Sequence, residues 1–118
     1  MPEFLSNLCL EIPPDVPQQE VWNLEERFNQ IESVSTDLQE SKSILVETLL
    51  FLQIAVSIVG PIMETADGVK TVYEVAKTIY NFIHKGSKHY NVTIRKNGTH
   101  IEIKNMTIED IQLLISEA

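Results

Sequence analysis

The longest apolar stretch of the chain, residues 44–63, has fourteen apolar residues in twenty and contains neither Lys nor Arg. A stretch of this length either crosses a bilayer as a helix or is enclosed by protein. Drawn as a helix, it has one continuous apolar face, formed by Leu45, Leu49, Leu52, Val56 and Val59. The pattern predicts a buried helix over residues 37–59, which the Gly60-Pro61 pair stops or kinks.

A second helix is predicted over residues 61–84, where apolar residues return at spacings of three and four. It would lie beside the first as a long helical hairpin. The alternative is a membrane span over residues 44–63. Glu47 argues against it, because charged side chains at the centre of a membrane helix cost about 2.5–3.5 kcal/mol on insertion scales. No cluster of basic residues flanks the stretch to fix an orientation.

The N-terminal residues alternate before they become helical. Residues 8–12 place apolar side chains at every second position, which predicts a short strand. Pro13-Pro14 ends this strand because proline has no amide to donate to a ladder. Residues 17–31 then return to spacings of three and four, which predicts an amphipathic helix.

The C-terminal third carries the clearest local signals. Asn97-Gly98 is the preferred dipeptide of a two-residue hairpin turn, and closing the chain there pairs Ile94 with Ile101. All apolar residues of the two strands then share one face, so the register is well specified. After the hairpin, Thr107 is placed to cap a last helix, with Asp110 three positions later.

These elements predict an α+β fold in a single domain, residues 1–118. A small antiparallel sheet, made of the N-terminal strand and the Asn97-Gly98 hairpin, packs on the long central helical hairpin. The predicted segments are a strand and amphipathic helix (1–35), two long apolar helices (36–85), a β-hairpin (90–104) and a short helix (107–117).

The net charge of −8 is unevenly distributed. Residues 1–47 hold ten acidic residues and two basic ones, whereas residues 70–104 hold seven basic residues and two acidic ones. An acidic chain is a poor candidate for nucleic-acid binding, because phosphate neutralisation supplies most of that affinity. The charge separation instead favours a protein partner, including a second copy. The basic residues assigned to such an interaction are Lys85, Lys88, Arg95 and Lys96.

The sequence contains no recognisable catalytic or cofactor motif. The three histidines match no recurrent metal-ligand spacing, and the four glycines are isolated rather than grouped in a phosphate-binding loop. The single Cys9 cannot form an internal disulfide, which fits a reducing compartment. We therefore predict no catalytic residue, no metal site and no cofactor, and a cytoplasmic location with membrane association as the alternative.

The ending "VTIRKNGTHIEIKNMTIEDIQLLI" resembles the tail of a bacterial family of effector-associated constant components, found beside variable effectors in counter-invader conflict systems. In that family a hairpin leads through a capping Ser or Thr into a helix. The matching residues are Val92, Ile94, Gly98, Ile101, Ile103, Thr107, Glu109, Ile111, Leu114 and Ile115. The resemblance implies a non-catalytic adaptor that joins an effector to a sensor.

The sequence thus favours a non-enzymatic, self-associating interaction or adaptor module, with the apolar face of residues 45–59 used for packing. Two alternatives remain open at this point. One is a small membrane-active or membrane-anchored effector that uses residues 44–63. The other is an acidic, antitoxin-like neutralising subunit, motivated by the negative charge of residues 1–47.

Overall fold

Eight helices and strands follow one another in the computed structural model, which describes residues 3–31, 33–41, 49–59, 66–84, 90–96 and 98–116. They are β1 (Glu3–Ile12), α1 (Gln18–Asn29), β2 (Val34–Ser41), β3 (Leu49–Val59), α2 (Ala66–Ile83), β4 (Thr93–Lys96), β5 (Thr99–Glu102) and α3 (Ile108–Ser116). The α+β class is as the sequence predicts, but the sheet is larger and the helices are shorter.

All five strands belong to one antiparallel sheet with the order β2-β3-β1-β4-β5. The longest ladder joins β1 to β3 and runs from the pair Glu3–Val59 to the pair Ile12–Leu50. The succession β1-α1-β2-β3-α2-β4 has the connectivity of a split β-α-β, or ferredoxin-like, arrangement. The hairpin strand β5 and helix α3 extend this arrangement at its β4 edge.

The predicted central helix over residues 37–59 is wrong. Leu49–Val59 is β3, which lies between β2 and β1 inside the sheet. Leu52, Ile54 and Val56 are fully buried at every second position, and Gln53 between them is exposed. The even positions of β3 from 50 to 56 are all aliphatic and its odd positions include Phe51 and Ala55, so its apolar content is as high as that of a buried helix. The described residues therefore contain no long central helical hairpin, because its predicted first helix is replaced by β3 over Leu49–Val59.

The strand β2 (Val34–Ser41) is a second correction, because the long helix was predicted to begin at residue 37. Val34 and Leu38 pair with Val56 and Leu52 of β3 and are half-buried against the core. The remaining residues of β2 are mostly polar, as is common on an edge strand, where a charged or polar edge discourages pairing with another chain.

The second predicted helix is confirmed over part of its length. Helix α2 covers Ala66–Ile83, whereas the prediction began at residue 61. The Gly60-Pro61 break lies outside the described residues. No helix within the described part of the chain is long and apolar enough to cross a membrane.

The shorter-range predictions are confirmed. The first strand and the amphipathic helix are present as β1 and α1. The hairpin has the predicted register, with Ile94 opposite Ile101, and Gly98 adopts a φ of +78°. The Asp110 amide donates to Thr107 Oγ1 at 3.1 Å, while the Thr107 amide donates to Asp110 Oδ2 at 3.2 Å, which is a reciprocal cap of α3.

One hydrophobic core lies between the sheet and the helices. Helix α1 contacts β2 and α2, and α3 contacts α2 and β1. The buried apolar side chains that β1, β3 and β4 turn towards these helices are Leu8, Leu10, Ile12, Leu52, Ile54, Val56 and Ile94. The helices contribute the other half of the core, including Val21, Leu24, Phe28, Val75, Ile79, Ile83, Ile111 and Ile115.

We expect Leu52→Ala to destabilise the protein strongly, because the side chain is fully buried between two paired strands. Truncation of a buried leucine typically costs about 2–5 kcal/mol of unfolding free energy. The matched control is Gln53→Ala, one residue along the strand on the opposite face, which should change this free energy by less than about 0.5 kcal/mol. Urea unfolding followed by circular dichroism measures both. Equal losses would contradict the alternating burial of β3.

We also expect Tyr90→Phe to lower the unfolding free energy of the protein by about 1 kcal/mol. The Tyr90 hydroxyl donates to Glu20 Oε2 at 2.6 Å, and this hydrogen bond connects the residues before β4 to α1. This hydrogen bond, with burial, raises the pKa of Tyr90 to about 12. The native state therefore holds the phenolic proton more tightly than the unfolded chain, whose tyrosine pKa is about 10.

The contribution of Tyr90 is thus fully present below pH 10 and is lost as the pH rises towards 12. Unfolding free energies of wild type and Tyr90→Phe, measured between pH 8 and 11.5, should converge at the alkaline end. A constant difference would show that the Glu20 hydrogen bond does not cause it.

Candidate functional site on the outer face of the sheet

The face of the sheet opposite the helices, called here the outer face, carries polar and half-buried side chains. Strand pairing places one outward residue from each strand in a single row across the sheet, called here the central row. In the order of the strands from β2 to β5, the central row is Asp37, Gln53, Cys9, Arg95 and His100. Asp37 therefore lies at one edge of the sheet, and Arg95 and His100 lie near the other edge.

A charged cluster occupies the β1–β4–β5 side of the outer face. The Glu11 carboxylate oxygen Oε1 lies 3.4 Å from Arg95 Nε and 3.5 Å from His100 Nδ1. The guanidinium carbon of Arg95 also lies 5.8 Å from the centre of the Phe51 ring, within the range of a cation–π contact. The Arg95 side chain remains 47% exposed, so the cluster holds it in place without enclosing it.

A shallow groove of about 390 Å³ crosses the outer face from β2 to β4. The outward side chains that line it are mostly small or polar, and they are Asn7, Cys9, Ser35, Asp37, Gln53, Ala55 and Arg95. Asp37 and Arg95 lie on its two outermost strands, and β3 and β1 run between them. The groove is therefore acidic on one side, basic on the other and largely uncharged between.

Cys9 lies in the central row, but its surroundings do not activate it. Burial raises the pKa of the Cys9 thiol, the positive charge of Arg95 acts against this, and the negative charge of Glu11 adds to it. A cysteine nucleophile needs a lowered pKa or an adjacent base. Cys9 is instead a half-buried thiol in a sheet. Within the described residues, no group of three or more His, Cys, Asp or Glu side chains could hold a metal ion.

The apolar residues that the sequence assigned to packing are found in different places in the structure. Leu52 and Val56 are fully buried in the core of this chain. Leu49 and Val59 are the ends of β3, and the structure describes their backbone but not their side chains. Leu45 lies outside the described residues. The burial of Leu52 and Val56 within the domain leaves them no part in a surface contact.

The four basic residues assigned to charge interactions are also separated. Arg95 lies on the outer face, whereas Lys96 donates from Nζ to the backbone oxygens of Leu114 and Ile115, the latter at 3.5 Å. These carbonyls belong to the last turn of α3, where a helix has unpaired acceptors and a negative dipole end. Lys85 and Lys88 lie outside the described residues.

Four residues that accompany Arg95 on the outer face were not predicted from the sequence: Glu11, Asp37, Phe51 and Gln53. The signal that could have found them is the alternation in residues 50–56, where the even positions are all aliphatic and the odd positions include Gln53 and Ala55. That period of two indicates a strand, and a strand shows which residues point away from the core.

Comparison of the chain with family models, curated proteins and solved structures found no match. The resemblance of the C-terminal hairpin and helix to the effector-associated constant components therefore stays a prediction.

We expect two substitutions on the outer face to move the pKa of Cys9 in opposite directions. The negative charge of Glu11 raises the Cys9 pKa, so Glu11→Gln should lower this pKa. The positive charge of Arg95 lowers the Cys9 pKa, so Arg95→Gln should raise this pKa. The pH dependence of iodoacetamide alkylation at Cys9 measures both. Shifts in the same direction would contradict the arrangement of Glu11 and Arg95 around the thiol.

Proposed function

We propose that this chain is a non-catalytic protein-interaction module that presents the outer face of its sheet to a protein partner. The observation that carries the proposal is the one-sided core: α1, α2 and α3 pack on the same face of the sheet. Within the described residues, nothing covers the central row on the other face. An antiparallel sheet commonly packs one face on the core and leaves the other in solvent, so this face is accessible to a partner.

The chemistry of the outer face suits recognition better than catalysis. Arg95 is held by Glu11 and lies over Phe51, so an exposed guanidinium is presented in a restrained conformation. Arginine and aromatic residues are enriched at protein interfaces, and restraint lowers the entropy lost on binding. The thiol of Cys9 has a raised pKa, which disfavours a role as nucleophile.

The adaptor role implied by the C-terminal resemblance is compatible with this proposal. An adaptor needs a stable scaffold and at least one surface for an effector or sensor, and it needs no active site. The membrane-active alternative has less support, because residues 49–59 form an inner strand whose backbone hydrogen bonds go to β1 and β2.

The test is site-specific photo-crosslinking in the cells from which the chain comes. Benzoylphenylalanine replaces Gln53, which is exposed at the middle of the outer face, and in a control chain it replaces Glu26, which is exposed on α1. We expect irradiation to link the chain to another polypeptide from position 53 and not from position 26. Absence of a protein adduct at position 53, or equal adducts at both positions, would contradict the proposal.

A further inference from the structure

We infer that the partner on the outer face is a second copy of this chain, related to the first by a two-fold axis parallel to the strands between β3 and β1. In this arrangement, Asp37 of each copy meets Arg95 of the other. The inference rests on the proposed function and deepens it, because it names the occupant of the outer face.

The order of strands makes the groove self-complementary. Four strands line it, in the order β2, β3, β1 and β4. A two-fold axis between β3 and β1 places β2 of one copy opposite β4 of the other, at the same height along the strands. Because Asp37 and Arg95 belong to the same row, the two-fold rotation places Asp37 of each copy opposite Arg95 of the other, so the dimer contains two such pairs. Two sheets packed about 10 Å apart leave room for one Arg–Asp pair at each position.

Both charged groups keep hydrogen-bonding capacity for this contact. Glu11 approaches Arg95 through Nε, so among the described residues the two terminal nitrogens are left to bind a second carboxylate. Asp37 accepts from the Gln39 side chain at Oδ2, at 3.2 Å, and its other oxygen can accept from an arginine. The Glu11 contact also orients Arg95 before binding.

The middle of the groove is compatible with close approach of two sheets. Ala55, Cys9 and Gln53 are small or uncharged, so no like charges meet at the axis in the central row. The half-buried Phe51 lies on β3 next to the axis, where the rings of both copies can pack diagonally across it. In the central row the axis therefore has the uncharged Gln53 of one copy opposite Cys9 of the other, with an ion pair on either side; in the next row Phe51 of one copy lies opposite Glu11 of the other.

The size of the face indicates a reversible dimer. Four strands spaced by about 4.8 Å and overlapping over about five residues at ~3.3 Å each cover a few hundred Å² per copy. This is below the roughly 800 Å² per partner of a standard interface. We therefore expect a dimer that dissociates on dilution.

The test uses two variants that should be unable to pair with themselves. Asp37→Arg carries Arg at both contact positions, and Arg95→Asp carries Asp at both. We expect each variant alone to stay at 13.4 kDa by light scattering at concentrations where wild type dimerises. Mixed one to one, the two should form a heterodimer, because each Arg then meets an Asp. Failure of the mixture to associate, with both variants folded, overturns the inference.

Two controls keep the result interpretable. Glu40→Arg makes the same change of charge as Asp37→Arg on the same strand, but by strand pairing residue 40 lies on the core side of the sheet, with Leu50. This variant should dimerise like wild type. If Arg95→Asp fails to fold, as judged by circular dichroism and thermal unfolding, Asp37→Arg alone must weaken dimerisation at least tenfold relative to Glu40→Arg. A smaller difference overturns the inference.

The failure of this inference and that of the proposed function are distinguishable. A wild-type chain that remains monomeric at every concentration, but crosslinks from position 53 to a different polypeptide, overturns the second copy as partner and leaves the proposed function standing. A chain that is monomeric and gives no adduct from position 53 contradicts both.

Discussion

The ladder between β1 and β3 is the constraint on which the rest of the structure depends. It is the longest pairing in the sheet. It places Leu8, Leu10, Leu52 and Ile54 on the face that packs against the helices in the core. Because side chains alternate along a strand, fixing this face also fixes the opposite one. The three helices cover the apolar side, where burial contributes about 25 cal/mol per Å² of apolar area removed from water. The composition of the outer face follows from the same alternation.

Helical and strand patterns coincide in the stretch that was misassigned. Leu52, Val56 and Val59 are spaced by four and three, as on a helix, but Leu52, Ile54 and Val56 are also spaced by two. When nearly every residue is apolar, periodicity alone cannot separate the two structures. What decides is the presence of strands on both sides of β3, and one of these, β2, is a polar edge strand with a weak sequence signal of its own.

Features that depend on a few neighbouring residues were predicted well. The Asn97-Gly98 hairpin needs only a backbone preference at its turn and matching strands on either side. The reciprocal cap between Thr107 and Asp110 needs only a spacing of three. The sequence therefore sufficed for β1, α1, the hairpin and α3. It did not suffice for the order of strands, which depends on contacts between segments far apart in the chain.

The candidate site shows why function was harder to predict than local structure. Arg95 and Lys96 are adjacent, and as a sequence pair they suggested one basic patch. In the strand they belong to opposite faces: Arg95 joins Glu11 on the outer face, and Lys96 reaches the carbonyls at the end of α3. One charge therefore lies exposed on the outer face, and the other contacts the end of α3. Likewise, Asp37 and Arg95 fall in one row only because β3 and β1 lie between their strands. A surface made of single residues from several strands is defined by register, so it can be assigned only after the pairing is known.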